Sequence, residues 1–144
     1  MSLSNAPFKF TIKGHCQSKA NSRRWTGRRM IKSASAMAFI NGALPQMPKL
    51  EPLMEGPLIV SMTIYYPSMR NDLDESLVLD IMQGYIYKND RQVMAKHVYR
   101  ALDKENPRVE IAVSKTGKWS NAFAERVAER VSMITTWFVR WAND

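Results

Sequence analysis

Asp72 and Asp74 stand two residues apart in the stretch PSMRNDLDES. The chain around them is strongly basic, with a formal net charge of +8 over 144 residues, so two carboxylates just past an apolar run call for a role. Carboxylate oxygens suit Mg²⁺, which keeps several waters and often completes its shell with substrate phosphates. A basic protein holding such an ion has the parts for phosphodiester hydrolysis: polarising the phosphate, deprotonating a water and stabilising the leaving oxygen. The plainer alternative is that either aspartate caps the helix that follows. A third carboxylate favours the metal. Asp90, in YKNDRQV, is the candidate, because there the chain returns from the helix toward the next strand. Asp80 is rotated away from Asp74 along that helix and reads as solvated surface.

The excess of charge points to an anionic partner. Lys and Arg number 21 against 13 Asp and Glu. Between Lys19 and Lys32 lie Arg23, Arg24, Arg28 and Arg29 with no acid among them, and Trp25 in their midst. That is the expected footprint for backbone phosphates with an aromatic available for stacking, although a solvated basic loop has the same composition. Arg70, just ahead of the acids, and Lys88, just before Asp90, join the DNA-binding candidates. Cys16 is the single cysteine, which excludes an internal disulfide and makes a reducing cytoplasm the default. His15 and His97 are too unaccompanied for zinc, no glycine-rich phosphate loop is present, and no apolar run approaches a membrane span.

Positioning these residues falls to a small α/β (α+β-like) domain spanning residues 1–144. Phe8, Phe10 and Ile12 alternate with Lys9, Thr11 and Lys13 as a half-buried strand. A basic loop runs to Ser33, the N-cap of a helix from Ala34 to about Gly42. Four prolines, Pro45, Pro48, Pro52 and Pro57, make an extended connector. LIVSMTIYY, residues 58–66, predicts a central strand covered on both faces. A helix over about 74–85 follows, with Leu77, Val78, Ile81 and Met82 inward. Residues 93–102 and the strand marked by Val109, Ile111 and Val113, joined by DKENP, predict an antiparallel hairpin. Phe123, Val127, Val131, Ile134, Phe138 and Trp141 form one stripe of an added C-terminal helix, about 119–142. The order β-α-β-α-β-β plus that helix gives a mixed sheet of about four strands with helices packed on it.

The segment RNDLDESLVLDIMQGYIYKNDRQV resembles the core of the RusA-type Holliday-junction resolvases, the crossover junction endodeoxyribonucleases. That family has a strand, an Asp-Leu-Asp-Asn motif, a helix, then an acidic pair and a Gln-Val segment that opens a strand. The equivalents here are Asp72, Leu73 and Asp74, then Asn89, Asp90, Gln92 and Val93. The opening strand, the basic loop with Asn21 and the distal PRVEIAV strand are similar too, so the resemblance covers roughly residues 7 to 114. It implies a homodimer, often encoded by phages or prophages, that binds four-way DNA junctions. It further implies paired nicks made with Mg²⁺ or Mn²⁺, in DNA recombination and repair, with no small-molecule cofactor. Asp72, Asp74 and Asp90 would be the metal-binding catalytic acids.

Two positions depart from the family pattern. Glu75 stands where asparagine is usual, and Val78 where the family has a catalytic lysine. Lys88 and Lys96 are the candidates to replace that lysine in space. A catalytically impaired branched-DNA-binding protein on the same fold is the alternative, and an adaptor that uses the tail stripe is a third. Paired nicks require two equivalent sites, which a twofold dimer supplies. Leu50, Leu53 and Met54 of the proline connector, with the tail stripe, offer apolar surface for it.

Overall fold

The computed structural model describes residues 6–19 and 23–116. The helix expected from Trp119 to Trp141, and Asn21 of the basic loop, lie outside them. The main chain elements are β1 (Phe8–Lys13), β2 (Arg23–Trp25), β3 (Met30–Lys32), α1 (Ala34–Ala43), β4 (Leu58–Tyr66), α2 (Ser76–Met82), β5 (Val93–Leu102) and β6 (Arg108–Lys115). The expected order is present, with one addition: the basic loop contains a two-stranded antiparallel ribbon, β2–β3.

The main sheet has four strands in the order β1-β6-β4-β5. Here the antiparallel hairpin expected of residues 93–102 and 108–115 is corrected. β4 lies between those strands, pairing in parallel with β5 and antiparallel with β6. The register explains how so short a turn manages this. Leu102 ends opposite Tyr66 and Arg108 begins opposite Tyr65, so residues 103–107 only step over the end of β4. Two strand spacings are about 10 Å, within reach of five extended residues. Asp103 N–H donates to the Tyr66 carbonyl at 2.9 Å, and Arg108 secures the turn through Asp103 at 2.8 Å and by lying over the Tyr65 ring.

The core lies on one face of the sheet. Leu58, Val60, Met62, Ile64 and Tyr66 of β4 are buried there with Ile12, Val109, Ile111 and Val113, beneath Phe39 and Ile40 of α1 and Leu77, Val78 and Met82 of α2. The intervening residues of β4 are only half-buried, so its near-continuous apolarity does not mean full coverage of both faces. Ser33 caps α1 as expected, its hydroxyl accepting from Ala36 N–H at 3.2 Å. In the proline connector, Leu50 and Met54 pack against this chain's own core, which removes part of the apolar surface expected to serve a subunit contact. Among the described residues, no helix is long and apolar enough to cross a membrane.

Candidate active site

Parallel pairing of β4 and β5 demands a crossover, and the acids lie in it. The chain does not stay at the end of β4. After Tyr66 it runs back alongside β5, held first by Arg100, which donates to the Asn71 carbonyl, and then by the Lys96–Glu75 ion pair. In the sheet register Arg100 stands opposite Ile64 and Lys96 opposite Val60, so the segment from Asn71 to Glu75 descends toward the end at which β5 begins. Tyr66, 2 % exposed, shapes this segment from below. Its hydroxyl donates to the Asp72 carbonyl at 3.0 Å and accepts from Asp74 N–H at 3.3 Å.

Asp74 is the best-held acid. One carboxylate oxygen accepts from Ser76 N–H at 2.9 Å, the other from Lys19 N–H at 3.0 Å. Burial alone would raise its pKa. The Ser76 and Lys19 donors, with the Lys96 charge nearby, outweigh that and hold the carboxyl below the usual carboxylate range. Asp74 therefore does both jobs weighed for it: it braces the start of α2 through Ser76, and it stays an anion. Burial, and then the charges of Asp74 and Glu75, push the neighbouring Cys16 thiol up to about 12, which keeps it an inert proton-bearing group.

Asp80 is not the solvated bystander its helical position suggested. Its carboxylate meets Lys19 Nζ at 2.8 Å, and its side chain is 32 % exposed. Lys19 thus binds two acids at once, Asp74 through its main chain and Asp80 through its ammonium. Asp90 also acts electrostatically on Lys19. Its turn is placed by Gln83, whose amide accepts from Asp90 N–H at 3.3 Å and donates to the Asp80 carbonyl at 3.4 Å. Asn89 and Gln92 close that turn as a reciprocal cap, and Gln92 ties it to the proline connector at Met54 and Gly56.

The arrangement is a row of acids along α2, with Asp74 ahead of its first turn, Asp80 on it and Asp90 just beyond. Asp72 is exposed at the head of the row and Asp90 at its foot. Among the described residues, no three His, Cys, Asp or Glu side chains are gathered as a ready-made metal cage. The donor set is nevertheless the right chemistry for a hard cation: carboxylate oxygens, one of them held ionised, on an edge that already draws in the Lys19 ammonium.

Of the cations expected to meet DNA, Arg23, Arg24, Arg28, Arg29 and Lys32 lie exposed on the ribbon and its turn. Lys19 departs from that group and joins the acids. Arg70 and Lys88 are exposed beside Asp72 and Asp90 respectively. Val78 is fully buried on the inner side of α2, so the position of the family's helix lysine faces the core here, and the cations that form ion pairs with acids of this region, Lys19 with Asp80 and Lys96 with Glu75, come from a loop and from β5. Sequence reasoning named Lys96 but missed Tyr66, Gln83 and the Asp80–Lys19 pair, none of which carries a local signal beyond being polar next to the acid motif.

A family model described as endodeoxyribonuclease RusA matches residues 9–114. A search of curated proteins finds no match to the chain.

Proposed function

The chain belongs to the RusA endodeoxyribonuclease family, and on that premise we propose that it is a cytoplasmic, dimeric endonuclease that resolves four-way (Holliday) DNA junctions by paired nicks. Asp72, Asp74 and Asp90 are the residues that would hold Mg²⁺, or Mn²⁺. When bound, such an ion supplies Lewis acidity at the scissile phosphate. The protein's own residues do the rest. Tyr66 and Ser76 fix the Asp74 backbone and carboxylate, so that the acid needs no reordering when substrate arrives. Lys96, restrained by Glu75, keeps positive charge beside Asp74 for the phosphate oxygens. Arg70 and Lys88 flank the row of acids, where a strand backbone would pass.

The observation that carries this reading is Lys19. Lys19 anchors on Asp74 and Asp80, and the cationic ribbon begins four residues later at Arg23, so the candidate phosphate-binding element is tethered close in sequence to a residue that touches the acids. The test is a labelled, mobile four-way junction incubated with the protein plus Mg²⁺, plus Mn²⁺ or with chelator. Symmetric nicks only with metal are expected. The buried Val78 favours a second reading, a branched-DNA binder without cleavage. Binding without any nick in either metal would select it.

A further inference from the structure

The ribbon holds a feature that phosphate binding does not use. Trp25 is 64 % exposed and Met30 55 % exposed, and they are direct cross-strand partners. Arg23 and Lys32 form the next same-face pair toward the root, since alternate residues of a strand share a face. The opposite face carries Arg24 and the half-buried Ile31. One face of the ribbon therefore presents an apolar aromatic–thioether pair toward the tip, with two cations behind it. Arg28 and Arg29 lie in the turn, which is closed by Thr26 N–H to the Arg29 carbonyl at 3.1 Å and by Gly27 at φ +88°, a conformation that favours glycine.

Two large apolar side chains exposed side by side mark a candidate contact surface. Its surroundings choose the chemistry: a flat apolar surface ringed by cations fits a nucleobase with its flanking phosphates, and the same cations oppose docking of a neutral apolar protein surface. Inside a duplex the base faces are covered by their neighbours. At the branch of a four-way junction they are partly open, and apolar side chains can insert between them. We infer that the Trp25–Met30 pair stacks on an unstacked base at the branch point, and that this contact sets the preference for branched over linear DNA. The inference rests on the reading of this protein as a junction enzyme and names the element that recognises the branch.

The test uses full-length protein and a junction carrying 2-aminopurine either at the crossover or in an arm. Trp25→Ala should weaken junction binding about tenfold. It should leave duplex binding and the salt dependence of both unchanged, because no phosphate contact is removed. Trp25→Phe should recover most of the loss. Wild-type protein should change the emission of 2-aminopurine at the crossover, and the alanine variant should not. Equal junction affinity for wild type and Trp25→Ala, or an equal loss on junction and duplex, overturns the inference while leaving the nuclease reading in place. A wild-type protein with no preference for junction over duplex overturns the junction selectivity of the proposed function, and this inference with it, whereas the nuclease reading itself fails only if no nick appears. Because Trp25 is exposed, its unfolding temperature serves as the folding control and should not move.

Discussion

Asp74→Asn separates structure from chemistry at the proposed site. The carboxylate receives two backbone N–H groups, Ser76 on one oxygen and Lys19 on the other. Asparagine keeps one acceptor oxygen and turns an NH₂ toward the second donor. The Ser76 bond is partly buried and loses its charge assistance. The Lys19 N–H is exposed, and water takes over as its partner. Replacing a charged acceptor by a neutral one at the first and losing the second amounts to about 1–2 kcal/mol. In a chain of this size that lowers the unfolding midpoint by roughly 3–8 °C. The comparison is Asp72→Asn. That carboxylate is exposed, and its loop is held through the main chain by Tyr66, so its stability should stay within about 0.5 kcal/mol of wild type. Both variants should lose at least about a hundredfold in nicking rate while still binding junctions, because each removes a carboxylate proposed to hold the metal ion that polarises the reacting phosphate. Thermal unfolding and single-turnover cleavage of a labelled junction, run below the lower midpoint, read the two effects separately. Asp74→Asn cutting at the wild-type rate, or Asp72→Asn proving as unstable as Asp74→Asn, would refute this assignment of roles.

Three further outcomes are expected. Tyr66→Phe removes the hydroxyl that bridges Asp72 and Asp74, leaving a partly buried N–H without its acceptor, and should destabilise by about 1–2 kcal/mol in urea unfolding, with a slower nick and unchanged junction affinity. The folded-state pKa of Asp74 lies below its unfolded value, so its contribution to stability is complete above the usual carboxylate range and disappears as pH falls through the folded value. Urea titrations should therefore show wild type losing more stability than Asp74→Asn below about pH 4, and parallel curves would contradict the shift. Sedimentation should give about twice the monomer mass, free and on a junction, since paired nicks need two equivalent sites; a monomer in both conditions would leave them without a mechanism.

Much of this molecule follows from local pattern. Phe8, Phe10 and Ile12 alternate with polar residues and form an outer strand; Ser33 stands where a hydroxyl can cap, and caps; LIVSMTIYY is apolar enough to be central, and is. Each of these depends on neighbours along the chain, so spacing and side-chain type suffice. The acid motif was legible for the same reason: Asp72 and Asp74 come within eight residues of the end of β4, and Asp90 opens the short turn that leads into β5. What spacing does not contain is which strand lies beside which. The DKENP turn looks like a hairpin turn whether it joins adjacent strands or steps over a third, and only the preference of β4 for the middle of the sheet separates the two. The route of Asn71–Glu75 back along β5 is likewise set by Arg100 and Lys96, residues of a strand that comes later in the sequence. Tertiary packing also decided that Asp80 pairs with Lys19 and that Gln83 ties Asp80 to Asp90, whereas the inward side of α2, Val78 included, was legible from helical spacing. Such pairings depend on distances between segments far apart in the chain, and those distances exist only once the sheet has closed around its core.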